Sequence, residues 1–255
     1  MRRFRTFTYR DASYRISPAG PESLYNTITS HIVEIREELE AYIKTQPDFL
    51  TSLEPVSVPE TAPESASVMA AAAKLTGTGP MAAVAGTTAQ LAALRTESGL
   101  SASDSSTEII IENGGDIFIL PGHGTEITPV VTGIFSGLDS RFSSLALKVI
   151  PSPGGTAICS SSSRMGHSLS FGDCDLCTVV SDNAALADAA ATLGGNLVKT
   201  EADLGPAAGH IAAIRGVTGV LLIKNKKISI AGKMPELVRH RDPAGLNKIT
   251  GTYFL

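Results

Sequence analysis

Ile109-Ile110-Ile111-Glu112-Asn113-Gly114-Gly115-Asp116 is the stretch on which the reading of this chain turns. Three β-branched residues in a row crowd a helix and suit a buried strand. Asn-Gly-Gly-Asp interrupts the run, and Ile117-Phe118-Ile119-Leu120 resumes it. Glycine reaches positive φ without a Cβ clash, so the corner is either a tight hairpin turn or a place where backbone N–H groups approach a ligand. On the second reading Asn113, Gly114, Gly115 and Asp116 are ligand contacts.

Working outward, residues 108–112, 116–120, 128–135 and 144–150 are rich in β-branched residues and bounded by Gly or Pro, which predicts strands. Residues 176–181 predict another strand, 183–193 and 206–215 two helices, and 219–224 with 227–231 a hairpin around Asn225-Lys226. Upstream, Phe4, Phe7, Tyr9 and Tyr14 alternate loosely among arginines, as edge strands or a hairpin do. From Pro21 the apolar residues Leu24, Ile28, Ile32, Ile35, Leu39 and Tyr42 or Ile43 fall on one helical face, with Glu34, Arg36, Glu37, Glu38 and Glu40 away from it. Pro47, Pro55 and Pro59 make residues 46–62 a surface connection. Small-residue helices follow at 63–75 and 81–94, separated by Gly77-Thr78-Gly79-Pro80. Residues 243–255 read as a loosely held tail. No period recurs, and helical and strand-rich stretches come in blocks, which predicts an α+β fold with mixed or antiparallel sheets.

Composition narrows the partners. Hydrophobic residues are 43% and charged residues 18% of the 255, which excludes a disordered chain. Lys and Arg number 21 against 25 Asp and Glu. That balance gives no attraction to nucleic acid or an anionic membrane, and leaves a small molecule or a protein as the expected partner. Met1–Arg15 carries charge throughout and reads as no export signal, and Lys74 and Pro80 break the Ala-rich run 69–94 as a membrane span. Three cysteines are an odd number and too few to staple a chain of this size, which points to the cytoplasm. Cys174 and Cys177 have redox spacing, but they run into Thr178-Val179-Val180 rather than opening a helix. The Ala-rich helices can pack within one chain or across a homo-oligomer.

Two further stretches carry chemistry. Residues 155–172 read GTAICSSSSRMGHSLSFG, with few side chains able to fill a core. The hydroxyls of Ser160, Ser161, Ser162 and Ser163 with Arg164 suit a phosphate, or else form a plain surface loop. His167 can act as a base near neutral pH, or be a structural histidine. In residues 183–193 Asp188 and Thr192 lie one helical turn apart among alanines. Such a pair suits a hard cation such as Mg²⁺, or a hydrogen bond along the helix.

The order of these pieces resembles the ApbE superfamily of flavin transferases. Gly79-Pro80-Met81-Ala82-Ala83-Val84-Ala85-Gly86, Glu112–Asp116, Gly166–Gly172, and Ala187–Thr192 with Asn196 are more closely similar to its bacterial and archaeal ApbE-related branch, over about residues 32–232. The resemblance implies one ApbE-like α+β domain over 1–255. For the transferases it implies Mg²⁺-dependent transfer of FMN from FAD to a hydroxyl of an acceptor protein. By motif, Asp188 and Thr192 would hold the metal, Gly114 and Gly115 would lie beside the nucleotide, and His167 would stand near the reacting centre. Ala85 and Gln90 replace a Lys and an Asp of the transferases, which implies the alternative of a flavin- or nucleotide-binding module, or a structural subunit, without transfer.

Overall fold

The computed structural model describes residues 2–101, 106–134, 144–163 and 171–239. Two strands, β1 (Arg5–Tyr9) and β2 (Ala12–Pro18), form a hairpin with Arg10 in the left-handed region at its turn. The long helix α1 (Glu22–Thr45) follows and buries Leu24, Ile28, Ile32, Ile35, Leu39 and Tyr42, the face that the spacing predicts. The Pro-spaced connection contains a single helical turn, α2 (Asp48–Thr51), because Phe49 inserts edge-on against Tyr42. Helix α3 (Glu64–Thr76) ends at Gly77 in the left-handed conformation. A 3-10 turn at Pro80–Ala83 then leads into α4 (Val84–Ser98).

Strand β3 (Ile109–Asn113) pairs with β4 (Asp116–Leu120), and β5 (Val130–Gly133) with β6 (Leu145–Val149). Next come β7 (Thr156–Ser161) and β8 (Leu176–Ser181), then α5 (Ala184–Leu197) and α6 (Leu204–Ala212). The chain continues through β9 (Val217–Lys224), β10 (Lys227–Gly232) and β11 (Glu236–Arg239). Eight strands form one sheet in the order β1-β2-β3-β4-β7-β8-β9-β10, and β11-β6-β5 form a second; every described pairing is antiparallel.

Strand alternation sorts the large sheet into two faces. Tyr14, Ile16, Ile109, Ile111, Phe118, Ala157, Cys159, Cys177, Val179, Val220 and Leu222 face the helices. Ile110, Ile119, Ile158, Val180, Leu221 and Ile223 face the small sheet, where Val130, Leu147 and Val149 meet them. The helix layer has its own core of Leu39, Phe49 and Met69 with Ala66, Ala70 and Ala72 of α3 and Ala185 and Ala189 of α5.

Two expectations are corrected. Residues 156–161 are a central strand, not a loop poor in core residues, since Ala157, Ile158 and Cys159 are all buried. Helix α5 runs through Gly194 to Leu197 instead of stopping there. A Cβ on Gly194 would stand 2.5 Å from Cys177 Sγ, so that glycine serves close packing on β8 rather than termination. The expected tail, 243–255, lies outside the described residues.

Candidate functional site

The helix-facing side of the large sheet brings Tyr14, Asn113, Asp116 and Cys159 together at one end. Asn113 and Asp116 are the last pair of the β3–β4 hairpin, with Gly114 at φ 64° and Gly115 at φ 115° between them. Those angles by themselves call for glycine, and a Cβ on either would meet nothing within 4 Å. Tyr14 pairs with Asn113 across β2 and β3. On the other side, Ser160 N–H donates to Asp116 Oδ1 at 3.1 Å, and the Cys159 thiol lies against the same carboxylate.

Helix α5 crosses this end. Its first turn is capped twice, because Leu186 N–H donates to Asn183 Oδ1 at 2.9 Å and Ala184 N–H to Gln90 Oε1 at 2.7 Å. The Cys159 thiol donates to Ala184 O at 3.6 Å, which seats the helix on β7. One turn on, Asp188 Oδ2 accepts from Gly86 N–H at 2.9 Å, and Ala85 N–H lies alongside. The first turn of a helix has N–H groups with no partner inside the helix, and here the Asp188 carboxylate of a different helix fills that need for α4. Gly86 is the residue that permits the approach, since a Cβ there would stand 2.4 Å from Ala184 O and 3.1 Å from Asp188 Cβ.

Asp116 and Asp188 are thus neighbours, each only 8% exposed. Burial pushes the Asp116 carboxyl up to about 7, opposed by the Ser160 and Cys159 hydrogen bonds. Burial, and then the charge of Asp116, hold Asp188 well above the carboxylate range against the Gly86 and Ala85 amides. Among the described residues no cationic side chain acts on either group. Burial and the two carboxylates push the Cys159 thiol up as well, so it is no thiolate nucleophile at neutral pH.

The residues expected from sequence fall out unevenly. Asn113, Gly114, Gly115, Asp116 and Asp188 share one neighbourhood, and Thr192 lies half-buried one turn along α5. The serines split across β7. Ser161 faces α5, where a Cβ on Gly195 would meet its hydroxyl at 3.7 Å, whereas Ser160 turns to the opposite face, its hydroxyl 2.9 Å from Thr178 Oγ1. Ser162 is buried just past the strand. Arg164 and His167 lie outside the described residues. The cysteines of the CxxC spacing are free and buried, with Cys174 pushed up to about 11, which leaves them without the low-pKa thiolate of a redox pair. Cys159, Gly86 and Gln90 were not foreseen in these roles.

The donor set suits a hard cation, because it is made of oxygens and holds two buried carboxylates that repel one another. It is not a complete cage: among the described residues, no group of three or more His, Cys, Asp or Glu side chains is placed to hold a metal. Nor, among them, is any helix long and apolar enough to cross a membrane.

Known proteins resemble this chain in sequence and in fold. The chain is 38% identical over 241 residues to a UPF0280 protein of Archaeoglobus fulgidus, covering 93% of this chain and 94% of that one. It is 35% identical over 235 residues to a UPF0280 protein of Methanocella arvoryzae, covering 92% and 91%. The ApbE protein of Thermotoga maritima superposes with a TM-score of 0.55 at 14% identity, over 97% of this chain and 99% of that one. A variant of the flavin transferase ApbE from Vibrio cholerae superposes with a TM-score of 0.55 at 12% identity, over 91% and 97%. At such identities the likeness is one of fold. A model of the family described as "AbpE bacteria" matches residues 6–217, and with relatives this similar along almost their whole length, the chain belongs to that ApbE-like family.

Proposed function

We propose that this protein binds FAD or another nucleotide diphosphate together with Mg²⁺, and transfers FMN from FAD to a hydroxyl of an acceptor protein, the hydroxyl oxygen bonding to the FMN phosphorus as the pyrophosphate bond breaks and AMP leaves. The observation that carries the reading is the pair of buried carboxylates, Asp116 and Asp188, with no cationic partner among the described residues. Two such groups side by side destabilise the fold unless a proton or a cation is shared between them.

Asp188 and Asp116 would hold the cation, with Thr192 on the same face of α5. Bound there, Mg²⁺ would supply charge neutralisation to a pyrophosphate. The chain's own part is orientation: Gly86 and Ala85 N–H fix the rotamer of Asp188, and Ser160 N–H fixes that of Asp116. The Gly114-Gly115 corner leaves open space beside the pair for the ligand. His167 is assigned the removal of the acceptor hydroxyl proton.

Titration calorimetry with Mg²⁺ and then FAD tests the proposal. Wild type should bind both, and Asp188→Asn and Asp116→Asn should each weaken Mg²⁺ by at least about 10-fold. Absence of binding in the wild type overturns it. The rival, a module that binds without transfer, is favoured by one observation: Gln90 is occupied in capping α5. Transfer to a protein hydroxyl by the wild type, lost in His167→Ala, excludes that rival.

A further inference from the structure

Tyr14 comes from the N-terminal hairpin, remote in sequence from the carboxylate pair, and is fully buried. Its ring packs beside Phe7, its partner across β1 and β2, with centroids 6.2 Å apart. That packing would be served equally by phenylalanine. The hydroxyl lies among Asn113, Thr88 and the Arg36 guanidinium, yet makes no hydrogen bond of proper geometry, and Arg36 Nε is likewise buried and unpartnered. A buried hydroxyl with no partner destabilises a fold, so its presence needs a reason outside packing.

The neighbours of the hydroxyl supply one. Asn113, opposite Tyr14 in the sheet, points its amide at Ala85 O, but the contact is long at 3.5 Å. Ala85 and Gly86 provide the N–H groups that grip Asp188. Thr88, one turn on in α4, donates to Val84 O and keeps its own backbone fixed. A loose relay therefore runs from Tyr14 through Asn113 to the peptide that holds the carboxylate. Hydrogen bonds at functional sites are often long in the unliganded protein and tighten in the complex.

We infer that Tyr14 is a positioning residue of the candidate site: its hydroxyl sets the Asn113 amide, which sets the Ala85 carbonyl and with it the start of α4 that orients Asp188. The inference rests on the proposed cation site. On loading, the Tyr14 hydroxyl gains the hydrogen bond it lacks, and the β1–β2 hairpin becomes part of the binding machinery rather than a covering strand pair.

The test uses the whole chain and Mg²⁺ alone. There is no tryptophan and there are five tyrosines, so near-ultraviolet difference spectra report on tyrosine directly. Mg²⁺ should produce a tyrosine difference band in the wild type that Tyr14→Phe lacks. Calorimetry should show Mg²⁺ bound about 10-fold more weakly by Tyr14→Phe, as for other outer-shell partners, with a Tm no lower than that of the wild type. Asn113→Ala should give the same weakening, and the double variant no more than either single one. Asn113→Ala also reads the relay if the tyrosine variant folds poorly. Equal Mg²⁺ affinity in wild type and both variants, or losses that add in the double variant, overturns the positioning role while leaving the cation site intact. Silence of the wild type towards Mg²⁺ overturns both.

Discussion

Gly86 N–H and Asp188 Oδ2 meet at 2.9 Å although 102 positions of chain separate them. One helix thereby uses a carboxylate of another as its cap, which ties the start of α4 to the second turn of α5 directly over the end of the large sheet. Two demands fall on residue 86: an amide to donate, and no side chain to hold the helices apart.

Gly86→Ala violates the second demand alone. The added Cβ meets Ala184 O, a backbone atom that cannot rotate away, so α4 and α5 must separate. We expect a loss of about 2 kcal/mol, typical of overpacking at a tight contact, measured by urea denaturation with an unchanged m value. A loss under about 0.5 kcal/mol would show that the helices part freely.

The carboxylate pair predicts an unusual dependence of stability on pH. Asp116 holds its proton up to about pH 7 in the fold, while an unfolded aspartate releases it near 3.8. The native state therefore binds more protons between those values, and stability falls as pH rises through that window, then levels off. Asp188, raised in the same direction, steepens the fall. Melting curves without divalent cation should show Tm dropping from about pH 5 to pH 8. Asp116→Asn should flatten that drop, and Mg²⁺ added at the higher pH should restore Tm. A Tm that climbs across the window contradicts the assignment of raised carboxyls.

Much of the frame was legible because periodicity records burial. Leu24 to Tyr42 marked α1 by spacing alone, and Asn113 to Asp116 marked a turn that glycine's positive φ demands. Strand β7 was hidden because its serines look like loop, while the neighbours that bury Ala157, Ile158 and Cys159 lie far away in sequence. Gly194 mimics a helix terminator for a comparable reason: only the Cys177 sulfur, seen in three dimensions, tells packing from stopping. At the site, spacing singled out Asp188 and Asp116 separately. That they are neighbours, and that Gly86 and Tyr14 support them, follows from strand order and helix crossing, which no local pattern encodes.

Gln90 separates a structural role from a chemical one. Its amide spans the interface, accepting from Ala184 N–H at 2.7 Å and donating to Asp182 O at 3.2 Å. Gln90→Ala should cost about 1 kcal/mol, the usual loss for a helix cap, and should leave Mg²⁺ affinity within a factor of about two, since the carboxylates keep their own partners. A large drop in affinity without loss of stability would instead place Gln90 in contact with ligand.

Lys224 offers a last contrast, a buried charge outside the site. It is 4% exposed, and its ammonium donates to Asp173 O at 2.5 Å and Asp173 Oδ2 at 2.7 Å. Those bonds fasten Asp173 to the end of β9, while Phe171 N–H donates to Asn196 Oδ1 of α5 at 2.9 Å. Lys224→Met keeps the length of the side chain and removes the donors that reach the Asp173 carbonyl and carboxylate. Half of the Asp173 side chain is already solvated, so the loss should be modest, about 1–2 kcal/mol. Asp173→Asn in the Lys224→Met background should cost less than it does in the wild type, because the ammonium that its carboxylate meets at 2.7 Å is already gone. Urea denaturation of the four proteins of that cycle measures the coupling, and a coupling near zero would mean that Lys224 is held by packing of its methylenes alone.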